Sequence, residues 1–78
     1  MNKKRLQRLV DAVAKIQGAF DELEIIRDEE QEAFDNMPES LQYSEKGELT
    51  EQNANDLDYA VGDLESALNT LDDIVNNN

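Results

Sequence analysis

The chain has 78 residues, a net charge of −12, and neither Cys nor His. A chain of this length can build one small core at most. Without Cys and His it lacks disulfides, thiolate metal sites and the commonest general base, so we expect no enzyme activity, no cofactor and no bound metal.

The first fifteen residues are basic, with Lys and Arg at five positions against Asp11 alone. The apolar residues that follow the basic start are interrupted by Gln7 and Arg8, so they do not form a signal peptide. No run approaches the roughly 20 apolar residues of a membrane span. We therefore expect a soluble cytoplasmic protein. Its acidic surface should repel the phosphates of nucleic acids and anionic membranes and attract proteins with a basic surface.

The first predicted helix covers about residues 3–36. If the seven-residue repeat of this helix continues, Arg27 and Glu30 face the second helix. If the helix instead drifts toward a 3.6-residue repeat, Ile26 and Ala33 face it. Pro38 ends the helix close to residue 36. Apolar residues at alternating steps of three and four form a coiled-coil seam along it: Leu6, Leu9, Val13, Ile16, Phe20 and Leu23.

Residues 37–43 form the predicted turn, and the second predicted helix covers about residues 44–75. Ser44 is the preferred N-cap, with Glu45 and Glu48 favourable near the positive end of the helix dipole. Thr50 is a competing, later start. The three-and-four spacing then resumes at Ala54, Leu57, Val61, Leu64, Leu68, Leu71 and Val75.

Two helices of matched length joined by a short turn predict an all-α fold, a single antiparallel hairpin over residues 1–78. Folding the chain back near residue 40 places residues whose numbers sum to about 80 at one height. The apolar pairs expected on this basis are Leu6 with Ile74, Leu9 with Leu71, Ile16 with Leu64, Leu23 with Leu57, and Phe20 with Ala60. The expected ion pairs are Arg8 with Asp72, Arg5 with Asp73, and Lys15 with Glu65.

An isolated hairpin buries one stripe per helix, and its stability is only a few kcal/mol. We therefore expect a homo-oligomer, a dimer that forms a four-helix bundle. Gly18 and Gly62 lie at one height; they either permit close approach of a second hairpin or are tolerated helix defects. The residues expected to form the oligomer surface are Val10, Ala14, Gln17, Ile26, Ala60, Ala67 and Ile74.

Residues 21–35 carry eight carboxylates and one Arg. This acidic run is either a solvated helix face or a surface that binds a basic protein, with a charge density that permits nucleic acid mimicry. Ile25 and Tyr59 fall at outward positions where polar residues are usual, and Tyr is frequent at binding hot spots. The candidate partner-binding residues here are Asp21, Glu22, Glu24, Ile25, Asp28, Glu29, Glu32 and Tyr59.

The turn is more apolar than a connector requires, since it contains Met37, Leu41 and Tyr43. These residues either close the end of the hairpin or form a recognition tip, and all three are candidate partner-binding residues.

The segment DEEQEAFDNMPESLQ (28–42), followed by Ser44, Glu45 and an acidic Leu/Ala-rich helix, resembles small acidic helical proteins of bacteriophages and prophages. Gly47 departs from the helix-forming residues expected there. The resemblance implies a phage-related origin and a bacterial cytoplasm, and it implies no particular activity. We expect a non-enzymatic protein that binds and modulates a host or phage protein; the alternative is a self-assembling coiled-coil module.

Overall fold

The computed structural model describes all 78 residues and has three helices: α1 (Lys3–Asp35), α2 (Glu39–Gln42) and α3 (Glu45–Asn76). α1 packs along α3, and α2 packs against α3 at the turn. The molecule measures 58 × 15 × 14 Å, and the amino group of Met1 donates to Asn78 Oδ1 at 3.0 Å where the two chain ends meet. The expected all-α hairpin is confirmed, with the short helix α2 inside the segment expected to be a plain turn.

Side-chain caps fix where the long helices begin. Asn2 Oδ1 accepts from the backbone N–H of Arg5 at 2.7 Å and starts α1. Ser44 Oγ accepts from the N–H of Gly47 at 3.2 Å, so α3 begins there and not at Thr50. Thr50 is buried inside α3, and its hydroxyl donates to the Lys46 carbonyl at 2.8 Å.

The seam between α1 and α3 keeps one seven-residue repeat from end to end. On α1, Glu24 is the single residue outside the seam that is not exposed. We label seam positions a and d, and the others b, c, e, f and g in order. The α1 seam consists of Leu6, Leu9, Val13, Ile16, Phe20, Leu23, Arg27, Glu30 and Phe34; the α3 seam consists of Gly47, Thr50, Ala54, Leu57, Val61, Leu64, Leu68, Leu71 and Val75.

The drift toward a 3.6-residue repeat does not occur. Arg27 and Glu30 are half-buried in the seam, whereas Ile26 and Ala33 are exposed. A strict 3.5-residue repeat is typical of a left-handed coiled coil, and it is kept here although polar residues then occupy the seam.

The core is centred in the half of the hairpin away from the turn. Phe20, Val61 and Leu68 are buried together, and Val13, Ile16, Leu23 and Leu64 pack against them. Two of the expected apolar pairs are wrong by one residue, because Ala60 and Ile74 are exposed while Val61 and Val75 hold the seam positions.

The e and g positions define the two flanks of the hairpin. In an antiparallel pair, e positions meet on one side and g positions on the other. Arg27 at position a reaches Asp58 at position e at 3.3 Å, whereas Asn53 at position g approaches Glu30 at position d at 3.4 Å. Positions e and b therefore belong to one flank and positions g and c to the other, with position f on the outer face.

The ion pairs expected from height alone are wrong, since all salt bridges of the structure involve Arg27. Arg8 and Lys15 occupy position c, next to the g flank, whereas their expected partners Asp72 and Glu65 occupy position e on the other flank. Asp73, the expected partner of Arg5, occupies position f on the outer face. Residues at one height but on different sides do not meet.

The expected oligomer surface is also divided. Val10 and Gln17 occupy position e, and Ala14 occupies the adjoining position b, so these three lie on the e flank. The remaining expected residues lie on the g flank: Ile26, Ala60, Ala67 and Ile74.

Candidate protein-binding surface

The net charge of the hairpin is concentrated at its turn end. Residues 21–59 carry fourteen carboxylates against Arg27 and Lys46, which accounts for the whole net charge of −12. Residues 1–20 and 60–78 carry five acidic and five basic side chains, so that half is neutral. We call residues 21–59 the acidic half and the remainder the neutral half.

The predicted acidic residues lie along the outward face of α1, which positions e, b, f and c form in that order around the helix. Asp21 and Asp28 occupy position b, Glu22 and Glu29 position c, and Glu32 position f, and all of these are exposed. Glu24 at position e is half-buried beside the seam. The carboxylates therefore cover the outward face of α1, and with the acidic residues of α3 they make the acidic half negative except along its g flank, where Ile26 and Ala33 are exposed.

Arg27 is the one basic residue of α1 in this half, and its side chain is 24 % exposed. It contacts Asp28 at 3.1 Å, Asp58 at 3.3 Å and Glu24 at 3.9 Å. The hydrogen bond to Asp28, together with the charges of Asp28, Asp58 and Glu24, raises the pKa of the Arg27 guanidinium above its ordinary value. Arg27 thus stays charged and joins α1 to α3 within an otherwise repulsive region.

A hollow of about 240 Å³ lies on the e flank beside Arg27. Ala54 is the seam residue at the same height, and its small side chain leaves this space unfilled. The lining is polar, so the hollow adds hydrogen-bonding groups to the acidic half; it consists of Arg27, Asp28, Gln31, Ala54, Asn55 and Asp58.

The turn end carries several exposed apolar residues. Met37 is half-buried, as expected of a residue that closes the end of the hairpin, but Leu41 is 48 % exposed and Tyr43 is 75 % exposed. Leu49, at position c in the second turn of α3, is 61 % exposed. We call Leu41, Tyr43 and Leu49 the apolar tip.

Leu49 was missed by the sequence reasoning, although a signal was present. It lies outside the three-and-four spacing of α3, and a large apolar residue off the seam has no partner within the hairpin.

Hydrogen bonds and close packing fix the backbone around the tip. Gln42 Nε2 donates to the Phe34 carbonyl at 3.1 Å, and Ser44 Oγ donates to the Leu41 carbonyl. Gly47 is buried, and a Cβ built on it would collide with the Leu41 carbonyl oxygen. Glycine is therefore required where α2 packs against α3, which explains its departure from helix-forming residues. The tip residues are held on a fixed scaffold.

Ile25 and Tyr59 do not belong to one surface. Both occupy position f, Ile25 on α1 and Tyr59 on α3, with exposures of 58 % and 77 %. Position f points away from the partner helix, so the two side chains project from opposite sides of the hairpin. Each is a separate exposed apolar residue of the acidic half.

The fold and the surface together define a class, an acidic antiparallel coiled-coil hairpin with an apolar tip. Its acidic side chains do not converge in any group of three or more that could hold a metal ion. None of its helices has the length and apolarity required to cross a membrane.

Searches against protein-family models, curated proteins and solved structures found no match to the chain.

Proposed function

We propose that this protein is a non-enzymatic interaction protein that binds and modulates a partner protein with a basic surface, using its acidic half and apolar tip. One observation carries the proposal: the acidic half, which holds the whole net charge, also contains the exposed apolar residues Leu41, Tyr43 and Leu49. Protein interfaces commonly combine a central aromatic or aliphatic anchor with a polar, charged rim. A phage origin and a target in the bacterial cytoplasm are part of the proposal.

Charge density suggests what kind of partner would bind. Residues 21–35 and 45–59 lie side by side and carry thirteen carboxylates against Arg27 and Lys46, a net charge of −11. Fifteen residues of helix span about 21 Å, which gives one net charge per ~2 Å. Duplex DNA carries one per ~1.7 Å of axis. The acidic half supports mimicry of a nucleic acid, and its target would be a protein whose own ligand is DNA or RNA.

Affinity capture from bacterial lysate tests the proposal with a matched pair of variants. Asp21→Asn/Glu32→Gln/Glu51→Gln removes three charges from the acidic half; Asp63→Asn/Glu65→Gln/Asp72→Asn removes three from the neutral half. None of these six side chains is ion-paired. We expect a specific partner that is lost above about 0.5 M salt, captured more weakly by the first variant and normally by the second.

Absence of a partner at any salt concentration, or equal weakening by the two triple variants, contradicts the proposal. A Tyr43→Ala/Leu49→Ala bait tests the contribution of the tip, and its capture of the partner should be reduced at all salt concentrations. Elution of the partner by excess duplex DNA is expected under mimicry. A partner that resists this elution contradicts mimicry while leaving protein binding intact.

A second candidate function, a self-assembling structural module, is favoured by a different surface, the apolar g flank. In that case assembly itself is the function, and no partner other than the chain is captured. The two functions use different parts of the molecule and can be separated by variants.

A further inference from the structure

The g flank is an unpartnered apolar face that extends along the hairpin. All its apolar residues are exposed, and small side chains dominate it, so a neighbouring helix can approach closely. We call it the apolar flank; it consists of Ala12, Ala19, Ile26 and Ala33 of α1 with Ala60, Ala67 and Ile74 of α3.

We propose that a second copy of this chain docks on the apolar flank in the antiparallel orientation, with the two-fold axis passing near Ala19 and Ala60. In this arrangement α1 of one copy lies against α1 of the second copy, and two α1 residues face each other when their numbers sum to about 38. Ala19 then meets its own copy, and Ile26 meets Ala12 of the second copy, a large side chain against a small one.

The charged rim of the flank is complementary to itself in this orientation. The residues at position c of α1 border the flank, and their charge differs on the two sides of the axis. Arg8 and Lys15 are basic on one side, and Glu22 and Glu29 are acidic on the other. The axis places Arg8 beside Glu29 of the second copy and Lys15 beside Glu22, and each pair occurs twice by symmetry.

On α3 the same axis brings Asp56 beside Asp63 of the second copy, a like-charge pair that also occurs twice. The parallel two-fold arrangement is worse, because it places the two acidic halves side by side. In the antiparallel arrangement each acidic half lies beside a neutral half, and the repulsion between copies falls.

The length of the apolar flank and the small core both favour an occupied flank. Its apolar residues run from Ala12 to Ala33 on α1, about 32 Å of helix. Within one chain only Phe20, Ala54, Val61 and Leu68 are buried apolar residues, and none is a large side chain fully removed from solvent. The dimer supplies the second layer that a two-helix core lacks.

The dimer would present one apolar tip at each end, up to ~58 Å apart given the length of one hairpin. Leu41 and Tyr43 lie beyond the flank and stay free, whereas Glu22 and Glu29 are taken up by the dimer rim. A dimer of this geometry is bivalent for its partner.

Charge reversal provides the test. Arg8→Glu/Lys15→Glu and Glu22→Lys/Glu29→Lys each make all four rim pairs repulsive in their own homodimers, but a mixture of the two variants restores four attractive pairs. Sedimentation equilibrium should show a wild-type dimer, at least tenfold weaker dimerisation of each variant alone, and recovery in the equimolar mixture. A wild-type chain that stays monomeric at 100 μM, or a mixture as dissociated as its components, overturns the proposal.

A second pair of variants tests which flank is used. Ala19→Glu lies at the centre of the apolar flank, whereas Ala14→Glu adds the same charge at an exposed position on the other flank. Helical circular dichroism verifies that both fold. The first should be monomeric and the second dimeric; equal dimerisation of the two contradicts the assignment of the flank.

Discussion

The three glycines should respond in opposite directions to replacement by alanine. A Cβ on Gly18 or Gly62 meets no atom within 4 Å, whereas a Cβ on Gly47 collides with the Leu41 carbonyl oxygen. Glycine in a helix interior is about 1 kcal/mol less favourable than alanine. Gly18→Ala and Gly62→Ala should therefore each raise the free energy of unfolding by about 1 kcal/mol, and the double variant by about 2 kcal/mol.

Gly47→Ala should lower the free energy of unfolding by about 1–3 kcal/mol, the usual cost of forcing an atom into a packed site. The colliding atom belongs to the backbone of α2, so a side-chain rotation cannot relieve it. Part of α2 must move away from α3, which displaces the tip.

Urea unfolding followed by helical circular dichroism measures all three variants at one protein concentration, because association adds to apparent stability. In a chain of this size 1 kcal/mol corresponds to about 4–8 °C in melting temperature. Gly18 and Gly62 lie off the apolar flank, so dimerisation should not change. A stabilising Gly47→Ala would refute the packing described for the turn, and a destabilising Gly18→Ala would refute the open space described beside Gly18.

Three further predictions concern the cap, the charge and the register. Ser44→Ala removes the acceptor for the Gly47 N–H and should lower the free energy of unfolding by about 1 kcal/mol in the same urea assay; no change would mean that the cap is not formed. Raising NaCl from about 20 mM to about 500 mM should raise the melting temperature, because repulsion within the acidic half is screened; a fall would show that attractive pairs dominate. Oxidation should bridge Cys introduced by Leu9→Cys and Leu71→Cys within one chain, but not the control pair Leu9→Cys and Leu57→Cys, and the reverse result would contradict the register.

The hairpin could be predicted because apolar residues recur along both helices at strict steps of three and four. The start of the second helix could be predicted because Ser is a preferred N-cap residue. Height along the hairpin could be read from residue numbers. The angle around each helix follows from the seam spacing as well, but pairing by height alone leaves it out, and for that reason Ala60 and Ile74 are paired in place of Val61 and Val75. The same omission placed Arg8 and Asp72 together although they lie on different sides.

The turn end could be predicted only in part. A four-residue helix such as α2 is too short to leave a periodic signal, so neither the helix nor the need for Gly47 beside it was visible. Met37, Leu41 and Tyr43 were recognised as unusual for a connector, but their separation into half-buried and exposed residues depends on how α2 packs. The concentration of charge in one half emerged once the fold placed residues 21–35 beside residues 45–59.

Site-specific photo-crosslinking in bacterial cells tests most directly the central claim, that the acidic half and its tip bind a partner protein. A photoreactive phenylalanine replaces Tyr43 or Leu49 in the tip, and Ser66, exposed at position f in the neutral half, serves as the control. We predict crosslinks to one other protein from positions 43 and 49 and none to that protein from position 66. Crosslinks to a partner from position 66 alone, or to no other protein from either tip position, would contradict the account.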